Sequence, residues 1–350
     1  MGRPTGRLNL SVCIHIAGGR EIESKIDGSS GAAHTRHAGH GSQHALGIVK
    51  IPLRTVWDAL WSFDGSQEHL IVRSVRLPRA MIAAAVGAAL AVAGCLMQGL
   101  TRNGLAGPEL FGVNYGAALA AVIASYVWGT TSLELFSWSA MLGAGVAGGL
   151  VLLLGSLGRS AWTPVRLVLA GATLNLLLAS LTQGVLILNE QSLDTMRFWL
   201  AGSLTGRDLA LFIVVLPYMA AGLLGAFALG GHMNIIRLGE EMARGLGQRV
   251  MWMKALCILV IVLLAGSAAA IAGPIGFVGL AVPHLARALV GLDYRWALPC
   301  SALLGALLLL AADIGARFVL PGQEIPAGVV TAFFGAPFLL YLVQRKGGTT

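Results

Sequence analysis

Charged residues are scarce in this sequence of 350 residues. Asp, Glu, Lys and Arg make up 11% of the chain, hydrophobic residues make up 56%, and the mean hydropathy is +0.76. Because a soluble globular domain carries about 25% charged residues, these charges are too few to cover a surface that faces water on all sides. The composition excludes a soluble enzyme, a nucleic-acid-binding protein and a disordered scaffold, and it predicts an integral membrane protein.

Cysteines and catalytic motifs are also lacking. The four cysteines, Cys13, Cys95, Cys257 and Cys300, are far apart, and no two have a metal-binding spacing such as C-x-x-C. The chain contains no nucleotide-binding G-x-x-x-x-G-K-[ST] loop, no H-E-x-x-H and no G-x-S-x-G motif. We therefore expect no catalytic residue, no metal site and no cofactor, in a protein that is not an enzyme.

Ionisable residues are nearly absent from the long apolar runs. Ion-coupled carriers usually place such residues inside their spans, whereas here Asp313 lies at the predicted end of one. Nothing in the sequence could therefore couple transport to an ion gradient or hydrolyse ATP. A transporter of this kind would need an energy source on another subunit.

Uncharged runs predict a polytopic, all-α bundle of about nine transmembrane helices. The run over 255–286 is too long for one span, and Gly273-Pro274-Ile275-Gly276 divides it into two helices. Glycines along the runs would let helices approach closely; they include Gly87, Gly94, Gly143, Gly145, Gly148 and Gly149. The predicted spans are residues 80–101, 110–133, 135–158, 167–189, 209–236, about 255–272, a shorter helix from about 277, 296–312 and 326–343.

The distribution of basic residues predicts a cytoplasmic C-terminus. With Arg345 and Lys346 inside, most basic residues of the loops also fall on the inner side, as the positive-inside rule requires. Three arginines before the first span, Arg73, Arg76 and Arg79, then lie outside against this rule. Together with Arg317 they could pair with carboxylates of an extracytoplasmic partner; the alternative is contact with lipid headgroups.

The chain divides into three predicted domains. Residues 1–47 are polar and rich in Gly, Ser, Arg and His, and we expect them to be disordered or a misassigned start. Residues 48–79 form an extracytoplasmic lead-in that begins with a partly amphipathic stretch. Residues 80–346 form the transmembrane domain. Within it, the charged inner loop over 238–247 is short and helix-compatible, with Gly247 placed to cap its turn. It could be either a docking knob for a cytosolic partner or an ordinary solvated loop.

Several long motifs, in a fixed order, resemble those of the FecCD-type permeases. These are the membrane subunits of ABC importers for iron-siderophores, haem and cobalamin, and the resemblance covers about residues 47–346. The strongest motif begins at Gly273-Pro274-Ile275-Gly276 and runs to Val282-Pro283-His284. The other motifs are Arg76-Leu77-Pro78-Arg79, residues 87–98, Arg102-Asn103-Gly104-Leu105-Ala106, residues 110–117, Leu169-Ala170-Gly171, Gly202-Ser203-Leu204, residues 238–247, Ala312-Asp313, Arg317, Glu324-Ile325-Pro326 and Gly335-Ala336-Pro337.

The resemblance implies a permease that dimerises around a central path and works with a cytosolic ATPase and an extracytoplasmic binding protein in the bacterial cytoplasmic membrane. Positions Arg76, Arg79 and Arg317 would meet acidic lobes of the binding protein. The loop that would dock in a groove of the ATPase contains Leu238, Gly239, Glu240, Glu241, Ala243, Leu246 and Gly247. Candidates for the translocation path or its gate are Gln98, Asn103, Asn114, Pro283 and His284.

Two departures from the family pattern accompany the resemblance. The family usually has Asn-Pro-Leu-Ala-Asp-Pro where this chain has Asn103-Gly104-Leu105-Ala106-Gly107-Pro108, which would loosen an inner turn. The family also normally has ten helices, and the polar residues 1–46 stand where the first is expected. An iron(III)-siderophore is the expected cargo. Cobalamin or haem import, a self-contained channel or facilitator, an inactive truncated remnant, and a homodimer or heterodimer with a second permease remain open alternatives.

Overall fold

The computed structural model describes residues 51–128, 132–156, 163–188, 196–207, 209–319 and 325–347. The polar segment 1–47 lies outside these ranges, so its predicted disorder and its status as a separate domain stay predictions.

The lead-in is helical and folds back on itself. Helix α1 covers Leu53–Trp61, helix α2 covers Gln67–Ile71, and one π-helical turn over Val72–Arg76 leads into the bundle. Arg73 joins the π-helical turn to α1, because its Nε and Nη2 donate to carbonyl oxygens in the last turn of α1, on Ala59 (2.8 Å) and Leu60 (3.0 Å). These carbonyls have no partner within their own helix. One of the three arginines predicted to lie outside therefore has a structural role in the lead-in.

Nine apolar helices form the bundle in the described part of the chain, which confirms the predicted polytopic all-α fold. Six are long and apolar enough to cross a membrane, and three are shorter. A short helix, α8 (Glu240–Gly245), separates the fifth and sixth. The nine are α3 (Leu77–Thr101), α4 (Val113–Trp128), α5 (Leu133–Ser156), α6 (Pro164–Leu188), α7 (Leu209–Arg237), α9 (Val250–Ala272), α10 (Val278–Val290), α11 (Tyr294–Val319) and α12 (Ala327–Gly347), of which α4, α10 and α12 are the shorter ones.

Two predicted spans have different bounds in the structure. The span predicted over 110–133 begins too early, because a 3-10 turn covers Pro108–Phe111 and α4 starts only after Gly112, whose φ is +73°. The span predicted over 296–312 ends too early, because α11 continues to Val319. Asp313 therefore lies inside a helix and not at its end, and Arg317 is in the last turn of α11 rather than in a loop.

The predicted break after α9 is confirmed. Helix α9 ends at Ala272 and α10 begins at Val278. Gly273 and Phe277 both have positive φ, +75° and +69°. Such a conformation is easy for glycine and strained for phenylalanine. The tight turn between them sends the chain back into the bundle.

Helices α3 and α9 form the centre of the bundle. In the most apolar window of each, 72% of the residues are buried, compared with 28–39% for α5, α6, α7 and α11. Two pairs of glycines explain how neighbours approach α3. A Cβ atom on Gly94 would overlap the backbone of Gly279 on α10, and one on Gly87 would overlap the backbone of Gly305 on α11. Close backbone contact of this kind is what packs helices in lipid, where no hydrophobic force drives them together.

The other predicted packing glycines divide into two groups. Gly143 meets Gly116 at the contact of α5 with α4, and Gly148 meets Val262 on α9. Gly145 and Gly149 have no heavy atom of the described chain within 4 Å of an added Cβ. The packing role predicted for these last two residues is therefore wrong within this chain, because they lie on the outer face of α5.

Candidate functional site

An ion-pair cluster lies at the end of the bundle where α3 begins and α11 ends. Asp313 is 2% exposed, and both of its carboxylate oxygens accept from Arg79, with Nη2–Oδ1 2.8 Å, Nε–Oδ1 2.9 Å and Nε–Oδ2 3.2 Å. Arg317, one helical turn further along α11, also binds Oδ2 of Asp313. Bidentate arginine–carboxylate geometry is the strong form of this interaction. We call these three side chains the outer cluster.

The outer cluster changes the interpretation of the predicted docking arginines. Arg79 is only 8% exposed and its guanidinium is occupied by Asp313. A direct contact of Arg79 with a partner protein is therefore a poor fit to the structure. Arg76 is half-buried one turn earlier, within electrostatic range of Arg317, whose side chain is 27% exposed. Arg76 and Arg317 remain the candidates for contact with an acidic partner.

At the opposite end, polar side chains of α3 and α10 meet. Gln98 is buried, donates to the carbonyl oxygen of Leu280 (3.0 Å) and accepts a hydrogen bond from Arg287. His284 Nε2 lies 2.6 Å from the carbonyl oxygen of Gly104. These bonds attach α10 to the segment that follows α3. Of the predicted path residues, the structure thus places Gln98 and His284 in one network.

The remaining path candidates lie around this network. Pro283 is buried inside α10, next to His284. Asn103 is exposed and its Oδ1 accepts from the backbone N–H of Leu105 (2.9 Å), an Asx turn that shapes the segment after α3. Asn114 is half-buried in the first turn of α4, beyond the 3-10 turn.

The segment between α3 and α4 packs deep in the bundle. An added Cβ on Gly279 of α10 would touch the ring of Pro108, and one on Gly171 of α6 would overlap the carbonyl oxygen of Leu110. Asn175 of α6 donates to the carbonyl oxygen of Glu109 (2.9 Å). The 3-10 turn therefore enters the bundle from the end that carries Gly104 and presents an acidic side chain, that of Glu109, within it.

The loop predicted as a docking knob is a helix held in place at both ends. Helix α8 ends in a Schellman motif, because Gly247 (φ +78°) donates to Arg244 (2.9 Å) and Gln248 donates to Ala243 (2.9 Å). This confirms the predicted capping role of Gly247. Glu240, at the start of α8, binds the buried Lys254 of α9 (2.5 Å). The loop is thus rigidly joined to a central helix.

Large apolar side chains face outward around α8. Leu238, Met242 and Leu246 are each more than 60% exposed, and Glu241 is exposed beside them, whereas Ala243 is buried against the bundle. Exposed apolar side chains rimmed by charge are typical of a protein-binding surface. We call residues 238–247 the coupling loop.

Sequence reasoning missed three interactions. Asp313 was predicted at a span end, yet it is the buried partner of two arginines. Lys254 falls just before the span predicted over about 255–272, although it is buried inside α9 and binds Glu240. Glu109 lies within a run predicted to be part of a loop, and only the close approach of α6 and α10 shows that this turn is buried. The signal for the first was available: an acid at i and an arginine at i+4 on one helix form a neighbouring pair.

Comparison with known proteins agrees with this architecture. Residues 42–345 match the model of the FecCD transport family. YfiZ of Bacillus subtilis, named as a probable siderophore transport system permease protein, is 49% identical over 83% of this chain and 88% of its own length. FepD of Escherichia coli, the ferric enterobactin transport system permease protein, is 44% identical over 86% of this chain and 90% of its own length. A transporter classed as metal-chelate type ABC, solved in an inward-facing conformation, superposes with a TM-score of 0.74 at 31% identity, covering 84% of this chain and 96% of that one.

Proposed function

The chain belongs to the FecCD transport family, and from that membership we propose that it carries iron(III)-siderophore complexes across the bacterial cytoplasmic membrane as the permease subunit of an ABC importer. The names of two relatives support an iron chelate as the cargo, since one is named for siderophore transport and the other for ferric enterobactin transport. The permease has no catalytic activity of its own in this proposal. A separate ATPase supplies the energy.

One observation carries the proposal: the coupling loop combines an exposed apolar surface with a rigid connection to the centre of the bundle. An ATPase that binds Met242 and Leu246 would transmit its movement to α9 through the ion pair of Glu240 with Lys254. Helix α9 leads through the turn at Gly273 directly into α10. Movement of the ATPase would therefore reach the helix that carries His284.

Movement of α10 would open or close the inner end of the path. His284 holds the backbone at Gly104, and Gln98 holds the backbone at Leu280. Both bonds join α10 to the end of α3, so a shift between these helices must break or extend them. In an alternating-access cycle these contacts are the inner gate, and Asn103 lies at its edge.

The opposite end of the bundle receives the binding protein. Arg76 and Arg317 supply positive charge for its acidic side chains. Asp313 binds both Arg79 and Arg317, and it thereby holds Arg317 in place. The C-terminus and the coupling loop are cytoplasmic in this arrangement, and the outer cluster faces the binding protein. The functional unit contains two permeases and two ATPases.

Co-purification and uptake together test the proposal. The full chain would be purified from native membranes in mild detergent, and its partners identified by mass spectrometry. We expect an ABC-type ATPase and a lipid-anchored or periplasmic binding protein. Cells lacking the chain should lose uptake of ⁵⁵Fe supplied as a siderophore complex and keep uptake of labelled cobalamin. The reverse result would assign cobalamin, and recovery of the chain without an ATPase would favour a self-contained channel.

A further inference from the structure

A basic pocket lies at the same end of the bundle as the coupling loop. It has a volume of about 380 Å³ and lies where the ends of α3, α7, α10 and α11 converge. Of the lining residues that the structure describes, none is acidic. The side chains that decide its chemistry are Arg102, Arg237, Arg287, His284, Leu292 and Tyr294.

The three guanidinium groups of the pocket are held by neutral oxygen atoms. Arg102 donates to the carbonyl oxygen of Ile236 (3.2 Å), Arg237 donates to a carbonyl oxygen of the α10–α11 loop (3.1 Å), and Arg287 donates to the side chain of Gln98. A guanidinium carries five N–H groups, and each of these bonds uses one nitrogen. The bonds orient the arginines without neutralising their charges, so the pocket is prepared for an anion.

The carboxylate of the neighbouring cavity is engaged elsewhere. Asp293 lines the neighbouring cavity with Arg237, and its Oδ1 accepts hydrogen bonds from the side chain of Asn234 and from the backbone N–H of Arg295 (2.9 Å). These hydrogen bonds lower the pKa of Asp293. It therefore stays ionised as the cap of α11 and does not fill the basic pocket.

The backbone at Arg102 gives a second, independent indication that this pocket binds something. Arg102 follows the last residue of α3 with φ +51°, a left-handed conformation that costs an L-residue energy and that glycine adopts freely. Strained residues of this kind concentrate at binding sites. Arg102 therefore stands at a position where the backbone alone would favour glycine, and its charged side chain lines the pocket.

Apolar side chains beside the pocket indicate what kind of anion it takes. Leu285 and Leu289 are one turn apart at the end of α10, Leu292 follows in the α10–α11 loop, and all three are exposed. A ligand with a charged head and an apolar tail would satisfy both surfaces. Basic pockets between the cytoplasmic ends of membrane helices bind anionic lipid headgroups for this reason.

We propose that the basic pocket binds the phosphate headgroup of an anionic glycerophospholipid, with the acyl chains along the leucines at the end of α10. The phosphate receives hydrogen bonds from Arg102, Arg237 and Arg287. Because Arg237 directly precedes the coupling loop, a bound lipid would stiffen the junction between α7 and that loop. The proposal depends on the membrane fold alone and not on the identity of the cargo.

Lipid retention in nanodiscs tests the proposal. The full-length protein would be reconstituted in equal parts phosphatidylglycerol and phosphatidylcholine, released into detergent, and examined by native mass spectrometry. The test variant is Arg102→Gly with Arg237→Gln. Arg102→Gly relieves backbone strain, so the variant should stay folded. The control is Arg249→Gln, an exposed arginine at the same end that does not line the pocket. Each arginine lost near a membrane surface should weaken lipid binding by about fivefold or more. The amount of retained phosphatidylglycerol should therefore fall at least about tenfold in the test variant.

The other outcomes would overturn the proposal. An equal loss in Arg249→Gln would mean that total charge, and not the pocket, retains the lipid. Inorganic phosphate added to the detergent-solubilised protein should bind far more weakly than phosphatidylglycerol. If the wild type binds inorganic phosphate as tightly as phosphatidylglycerol, the pocket would be assigned to a soluble anion instead. Unchanged lipid retention together with loss of the ATPase from the purified complex would assign the pocket to that protein partner.

Discussion

Arg79 on α3 and Asp313 on α11 form a bidentate ion pair across 234 residues of sequence, at the most extensive contact between two helices of the described chain. Each charge would be prohibitively costly to bury alone. Together they satisfy one another and leave Arg317, bound to the second carboxylate oxygen, at the surface. The pair therefore joins the fold and positions the residue that we expect to meet the binding protein.

Removing one member of this pair should destabilise the protein strongly. Asp313→Ala leaves the buried Arg79 uncompensated, and such a change typically costs about 3–5 kcal/mol. Thermal unfolding in detergent, followed by tryptophan fluorescence, measures the effect. The double variant Arg79→Met with Asp313→Leu removes both charges and should recover most of the loss. A single variant as stable as the wild type, or a double variant less stable than the single, would contradict a compensating pair.

Close helix contact makes a second prediction. Gly94→Ala places a methyl group in the backbone of Gly279, so α3 and α10 must separate. Overpacking of this kind costs about 1–3 kcal/mol, and the folded yield and thermal stability should both fall. Gly145→Ala is the matched control, because its added methyl group meets no described atom within 4 Å and alanine is the better helix former. Equal loss in both variants would show that the α3–α10 contact is not responsible.

The number and order of the bundle helices could be predicted because lipid imposes simple rules on sequence. An uncharged run of about 20 residues must be helical to satisfy its backbone in hydrocarbon. The Gly-Pro turn at 273–276 was equally clear, because a proline flanked by glycines in a run too long for one span marks a break between two helices. The coupling loop was recognisable as a short helix, and Gly247 as its cap, because these are local properties of the sequence.

Contacts between distant residues could not be predicted in the same way. Absence of charge marked 296–312 as a span, so Asp313 was placed at its end; only the approach of α3, which brings Arg79, makes a buried acid at that position possible. The second half of the 3-10 turn, Leu110-Phe111, was predicted to begin a span because it is apolar. The irregular backbone of this turn is tolerated in the bundle because Asn175 of α6 hydrogen-bonds to it.

The cap of the coupling loop makes a third prediction. Gly247 has φ +78°, so Gly247→Ala should strain the Schellman motif by roughly 1 kcal/mol and disturb the surface around Leu246. We expect ATP hydrolysis in the reconstituted complex to respond less to the loaded binding protein, and uptake to fall. Gly245→Ala changes a helical glycine of the same loop that has open space around it, and it should be harmless. If both variants transport normally, the shape of this loop does not couple the two subunits.

The strained backbone at Arg102 makes a fourth prediction. Arg102→Gly should raise the thermal stability of the detergent-solubilised protein by about 1 kcal/mol, because glycine adopts the left-handed conformation without cost. The lost bond to the carbonyl oxygen of Ile236 offsets part of this gain. Arg102→Ala keeps the strain and loses the bond, so it should be less stable than the wild type. The two variants must therefore shift in opposite directions; a shift in the same direction would mean that the side-chain bond outweighs the backbone strain.

The last prediction concerns the surface that meets the binding protein. Arg76→Glu reverses a charge next to Arg317 without touching the buried pair of Arg79 with Asp313, so the fold should persist. If carboxylates of the binding protein dock here, its affinity should fall by about tenfold or more, since losing a hydrogen bond between charged groups costs about 1.5–3 kcal/mol. Surface plasmon resonance on nanodiscs measures this loss of affinity.

Arg54→Glu is the control, because it makes the same charge change on an exposed side chain of α1. The wild-type affinity should also weaken with salt, as long-range attraction between exposed charges does. Equal loss in the two variants would reveal a general charge effect, and no loss in either would leave Arg317 alone to receive the partner.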